Sequence, residues 1–295
     1  MQVTRREALF AALPVAAGAA ALAALPQVPF GKHSISRLIV GGNPVSGNSH
    51  VSNALSGEMV EYFTAANAKK LLGDCERAGV NTWQSRGDKH IMRLLQEYRQ
   101  EGGRIHWIGQ TATEFADGVR NVREMAALGP LGIYHHGSLT DRLWDAGKIE
   151  QARELLKVIR DTGVRVGLGT HKPEVIDHIE SKDWDVDFYM TCVYHLSRPR
   201  EEASRLAGRP ITDEFFHDPD RQVMLERVRR TKRQCLIFKI YGATRLCKSE
   251  EQMRGAMRLA FEYAKPNDCV VVGMFPKRSD QVTQNARLLR EVLTT

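Results

Sequence analysis

The chain has 295 residues, enough for two average domains or for one α/β barrel, which uses about 250 residues. With 42% hydrophobic and 26% charged residues it can bury a large core, which excludes a disordered chain. The net charge of +7 raises the question of an anionic partner, but much of it sits in Arg227, Arg229, Arg230, Lys232 and Arg233 at the end of a predicted helix, where cations offset the helix dipole; no aromatic ladder or nucleic-acid motif accompanies them, so nucleic acid is not an expected partner.

The chain opens with Thr4-Arg5-Arg6-Glu7-Ala8-Leu9-Phe10, followed by an uncharged run rich in Ala, Leu and Val that continues to about Leu25. Two arginines, a modest apolar run and the small-residue site Ala21-Leu22-Ala23 match a twin-arginine signal peptide over residues 1–26. A membrane-spanning helix is the alternative; Pro14, Gly18 and many alanines make the run weakly hydrophobic for that. The expectation is export in the folded state by the twin-arginine machinery to a periplasmic or extracellular location, with no membrane contact once the signal is removed. Any cofactor is then loaded in the cytoplasm.

Over residues 27–295, short β-type runs alternate with amphipathic helical stretches. Strands are expected at residues 36–40, 80–83, 105–108, 132–134, 164–168, 186–192, 236–240 and 269–272. Helices are expected from Thr64, and at 90–101, 113–127, 148–161, 173–180, 220–232, 250–263 and 281–293. Eight such units predict a (β/α)8 barrel with its functional loops on one rim. The alternative, a doubly wound open sheet, lacks support because Gly41-Gly42 does not have the spacing of a phosphate-binding fingerprint. Residues 197–219, with three prolines, are expected to form an elaborated loop over that rim.

The five cysteines form no CxxC pair or zinc spacing. Cys192, Cys235 and Cys269 each lie in an apolar run and read as small buried hydrophobes.

The segment Ile35-Ser36-Arg37-Leu38-Ile39-Val40-Gly41-Gly42-Asn43 resembles the opening strand of the aldo-keto reductases, and Ala78-Gly79-Val80-Asn81-Thr82-Trp83 resembles their second. Val270-Val271-Val272-Gly273-Met274 with Asp280-Gln281-Val282 and Asn285 is similar to their last strand and its helix, and Gly147-Lys148 is similar to a pair before their fifth strand. The resemblance implies a barrel binding NADP or NAD, with cofactor contacts at Gly273, Met274, Lys277, Gln281 and Asn285. It also implies an Asp, Tyr, Lys, His set for carbonyl reduction. The chain departs from that set: Gln84 stands where the second strand should end in Asp, Gln110-Thr111 where the third should end in Lys, and only His135-His136 match the fourth-strand histidine.

Polar residues at strand ends remain numerous. Asn43, Gln84, Arg86, Gln110, Tyr194 and His195 read as contacts for a hydroxylated, sugar-like small molecule. His135, His136 and His171 are candidate catalytic residues; with His195 they are also candidate ligands for a divalent metal. Asp141 and Glu174, one turn into their helices, read as capping or structural groups. Lys239 lies in an apolar strand, as a buried base or Schiff-base amine or as a snorkelling strand-end lysine. Three readings stay open at this point: a divergent oxidoreductase, a lyase, epimerase or hydrolase using Lys239 and the histidines, and a non-catalytic binding barrel.

Overall fold

The computed structural model describes residues 24–294. The twin-arginine motif and Ala21-Leu22-Ala23 lie outside the described residues. Leu25, inside the expected leader, is buried against Gly79, so the packed body begins ahead of the expected boundary at Gln27.

Two short strands come first. β1 (Gln27–Phe30) and β2 (His33–Ser36) pair antiparallel around Gly31, whose φ of 63° permits the tight turn. The remaining strands are β3 (Leu38–Gly41), β4 (Thr82–Arg86), β5 (His106–Gln110), β6 (Gly132–His135), β7 (Arg165–Thr170), β8 (Phe188–Cys192), β9 (Gln234–Phe238) and β10 (Cys269–Gly273). They form a closed, wholly parallel barrel in the order β10-β3-β4-β5-β6-β7-β8-β9. Closure excludes the open sheet and bears out the (β/α)8 expectation.

Helices α1 (Asn53–Tyr62), α2 (Ala65–Ala78), α3 (Lys89–Gln100), α4 (Gly118–Ala126), α5 (Gly137–Asp145), α6 (Glu150–Asp161), α7 (Pro173–Ser181), α8 (Arg200–Ala207), α9 (Pro219–Arg230), α10 (Glu250–Tyr263) and α11 (Gln281–Thr294) lie between and after the strands. Local chemistry sets several ends. Thr64 caps α2 by accepting from the Asn67 amide, and Gly79, at φ 89°, stops it in the left-handed conformation. The expected helix at 113–127 starts only at Gly118, because the Asp117 side chain accepts from the Arg120 amide. The one expected from Lys148 starts at Glu150, after Gly147 at φ 65°.

Side-chain alternation sorts the barrel into two layers. Ile39, Ile108, Tyr134, Phe188, Met190, Leu236 and Val271 fill the interior, and Val28, Phe30 and Ile35 of the hairpin plug its N-terminal end. The Phe30 and Phe188 rings meet edge-on at 5.1 Å. Trp83, Trp107, Leu168, Ile237 and Val272 point outward into the helix layer. Gly167 is an interior position without a side chain because a Cβ there would stand 2.2 Å from Phe188 Cζ and 2.6 Å from Tyr134 Cβ. Gly167→Ala is therefore expected to cost about 1–3 kcal/mol by overpacking. Thermal unfolding measures this, and an unchanged midpoint would contradict the packing described.

The irregular segment 197–219 does carry chain over the C-terminal rim, and α8 lies within it. Glu214 and Phe216, from the stretch after α8, come down over the mouth beside Lys239.

Candidate active site

Because all eight barrel strands run parallel, their C-terminal ends open on one rim. A cleft of about 630 Å³ starts there at Gln84, Phe238 and Lys239 and runs outward past Asn43, Tyr241 and Gly273 to Arg278 and Gln281. Its size is within the ordinary range for small-molecule sites.

Lys239 was expected inside a strand. Instead β9 ends at Phe238, and Lys239 takes a left-handed φ of 62°. Gly242, Ala243 and Thr244 follow at 59°, 49° and 75°. Such strain in non-glycine residues persists where surroundings over-determine it, commonly at functional sites. The Lys239 side chain is 9% exposed, with Nζ 3.7 Å from Glu214 and 5.5 Å from the Phe216 ring centre. Burial pushes its ammonium below the ordinary range, against the pull of the Cys192 sulfur and Glu214. Glu214 also accepts from His50 Nδ1 at 2.8 Å, and His50 Nε2 lies 3.1 Å from Asn43 Nδ2. Burial opposes ionisation of Glu214, but the His50 hydrogen bond and Lys239 hold it down at about 2.

His171 follows β7 directly, at the C-terminal rim, and is buried there. Its ring meets Phe238 edge-on at 5.9 Å. Its Nδ1 lies 2.7 Å from Oδ2 of Asp141 on α5, a carboxylate with no exposed surface. Asp141 also accepts from Thr170 Oγ1 at 2.5 Å, from Ser197 Oγ at 2.5 Å and from the His171 amide at 3.2 Å. Asp141, read from sequence as a capping or structural acid, is thus the hub of the site. Burial works against a charged His171, but the Cys192 sulfur and the Asp141 hydrogen bond raise it to about 10. Burial likewise opposes ionised Asp141, and His171, Ser197 and Thr170 hold it below the usual carboxylate range. Cys192 is fully buried as expected, yet it neighbours both His171 and Lys239 and is more than an apolar filler.

The paired histidines separate. Tyr134 faces the interior, where its hydroxyl accepts from Gln84 Nε2 at 2.7 Å. His135, for which a catalytic role was expected, therefore faces the helix layer, with Nδ1 2.7 Å from Thr140 Oγ1. His136 is the N-cap residue of α5, and its buried Nδ1 has no hydrogen-bond partner among the described residues. Burial, with Arg86 and His171 nearby, pushes it down to about 4.

Among the described residues no group of three His, Cys, Asp or Glu side chains converges to hold an ion. His195 stands apart from His171, its amide donating to Asp220 Oδ2 at 3.1 Å.

Of the expected substrate contacts, Asn43 and Gln84 line the cleft. Arg86 pairs with Glu114 and lies 3.7 Å from Asp88, the Tyr194 hydroxyl reaches Asp218 at 3.5 Å, and Gln110 ends β5 outside the cleft wall. Of the expected cofactor contacts, Gly273, Gln281 and Asn285 line the cleft. Met274 is buried beneath it, and Lys277 pairs with Glu58 at 3.5 Å. Gln281 Oε1 accepts from the Phe275 amide, and Asn285 Oδ1 accepts from the Tyr241 hydroxyl. These two polar side chains chiefly hold the cleft wall in shape.

No family model matches the chain. No curated protein matches it either. Solved structures match in fold. A dihydropteroate synthase from Yersinia pestis is 10% identical, with a TM-score of 0.55 over 91% of this chain and 98% of that one. The holo form of an aldo-keto reductase from Bacillus halodurans is 10% identical, with a TM-score of 0.52 over 92% of each chain. A truncated 3-deoxy-D-arabino-heptulosonate 7-phosphate synthase from Thermotoga maritima is 12% identical, with a TM-score of 0.52 over 92% of each. The aldo-keto reductases are one of several kinds of barrel enzyme with this likeness, and at such identities the likeness shows the barrel fold alone.

Proposed function

We propose that the barrel is an exported oxidoreductase that acts on a carbonyl or sugar-type small molecule at its mouth and binds a nicotinamide dinucleotide, NADP or NAD, along the cleft. The observation that carries this reading is the shape of the cleft: one continuous cavity from Gln84 and Lys239 at the barrel centre to Arg278 and Gln281 at the edge. An elongated ligand with a reactive group at one end fits that path better than a compact sugar alone. Phe238, Val271 and Phe275 offer apolar walls, Lys239 offers a cation at the barrel end, and Arg278 offers one for phosphate oxygens at the edge. Arg278 is presently turned to Glu58 at 2.7 Å and would have to share that partner. When bound, the nicotinamide supplies hydride; the chain's own residues position the carbonyl and handle the proton.

Gln84 and Asn43, which line the cleft, offer amide groups for hydrogen bonds to substrate hydroxyls. The test is to isolate the protein from the periplasmic fraction and titrate it with NADPH and NADH, followed by hydride transfer to a panel of sugar aldehydes. The expected result is saturable binding of one nucleotide, with Arg5→Lys plus Arg6→Lys retaining the protein in the cytoplasm. Absence of binding to either nucleotide would sink the redox reading.

A second reading has its own observation. The buried, depressed amine of Lys239 beside Glu214 suits Schiff-base chemistry on a sugar carbonyl without a nicotinamide. An empty cleft together with covalent trapping of substrate on Lys239 would favour it.

A further inference from the structure

We propose that His171 is the proton donor of the site and Asp141 its positioning residue, together standing in for the tyrosine acid that the chain lacks. This rests on the carbonyl reading above and deepens it. The geometry begins with Asp141, a carboxylate buried without solvent contact that accepts hydrogen bonds from Thr170, Ser197, the His171 amide and His171 Nδ1. A buried charge so fully satisfied stays ionised, and its one titratable partner bonded directly to it is the imidazole. With Nδ1 committed to Asp141, Nε2 is the nitrogen left to exchange a proton; the ring lies beside Phe238, a wall of the cleft, and beside the Cys192 side chain, which hydrogen-bonds to it.

The groups facing His171 come from every side. Asp141 lies on α5, Cys192 ends β8, Glu214 reaches in from the loop above, and His136 sits beyond the end of β6. Three of these favour the imidazolium. The fourth, His136, is pushed the opposite way and stays neutral, so the two histidines divide into a charged donor and an uncharged neighbour. Such a divergence between neighbouring groups is how a site assigns its acid.

The step balances simply. As the carbonyl carbon gains a hydride from a nicotinamide donor, the C=O π pair moves onto oxygen, which takes the proton from Nε2. The product is the alcohol, and neutral His171 recovers its proton from water.

The closing experiment follows His171 directly by side-chain ¹⁵N NMR in the full-length mature protein without nucleotide. Wild-type His171 is expected to titrate at about 10. In Asp141→Asn it should fall toward the ordinary imidazole value of about 6.5. With NADPH and glyceraldehyde, His171→Gln should lose about 10²–10⁴-fold in kcat with nucleotide affinity unchanged. Asp141→Asn should bring the alkaline limb of the kcat profile to lower pH. A wild-type titration at or below the ordinary value overturns the proposal with no variant needed. So does a His171→Gln enzyme of full kcat. A high His171 titration in a protein that binds neither nucleotide would leave the acid intact while removing the redox reading.

Discussion

Asp141→Ala is expected to lower the stability of the folded chain by about 3–5 kcal/mol, the range for breaking a buried ion pair by deleting one partner. The substitution leaves the His171 ring and amide, Thr170 Oγ1 and Ser197 Oγ without their common acceptor in a place water does not reach. For a chain of this size the melting temperature should fall on the order of 10 °C. The same pair predicts how wild-type stability varies with pH. His171 is raised in the folded state, so its contribution is complete below the unfolded value of 6.5 and is lost as pH rises toward about 10. Asp141 is lowered, so its contribution is present above the unfolded value of 3.8 and is lost as pH falls below it. Stability from the pair is therefore greatest between these two unfolded values. Denaturant titrations from pH 4 to 10 on wild type and Asp141→Ala check this. Two curves that run parallel across the whole range would contradict the pairing.

Lys239→Gly is expected to separate function from stability. The left-handed backbone at φ 62° costs a side chain roughly 1–2 kcal/mol that glycine does not incur, and removal of a buried amine relieves its desolvation. Against these gains stand the lost attraction to Glu214 at 3.7 Å and the greater freedom of glycine in the unfolded chain. The net change should lie within about 1 kcal/mol of zero. Loss of the cation at the head of the cleft should at the same time weaken NADPH or NADH binding by about 10-fold, as expected for a charge-assisted contact. Lys239→Ala keeps the strain and loses the contact, so it should melt below Lys239→Gly. Thermal melts and nucleotide titrations on the three proteins decide the matter. A glycine variant that melts well below wild type and binds nucleotide normally would show that Lys239 is there for packing.

The barrel was legible because its strands are short apolar runs between amphipathic helices, a pattern set by burial on both faces. The hairpin Gln27–Ser36 escaped notice because its first strand directly follows an apolar run and neither of its strands is a continuous apolar run. His171 could be found from its place at a strand end. Asp141 could not, since α5 starts at Gly137 without a side-chain cap and carries no signal that its fifth residue turns back under β7. The choice between His135 and His136 depends on which strand face is inside, and a one-residue error in that phase exchanges them. Glu214 and Phe216 reach the mouth from aperiodic loop, where no spacing rule applies.

The barrel closes by pairing β10 with β3, Val270 opposite Leu38, segments from opposite ends of the sequence. Joining partners so distant along the chain is entropically slow, and nothing shorter than the nearly complete polypeptide can do it. Gly41 and Gly273 stand opposite each other in that pairing and both line the cleft, so this stretch of its wall exists only once the barrel has closed. A chain arrested or clipped before residue 269 would lack that wall, and ligand occupancy would report on the completeness of folding.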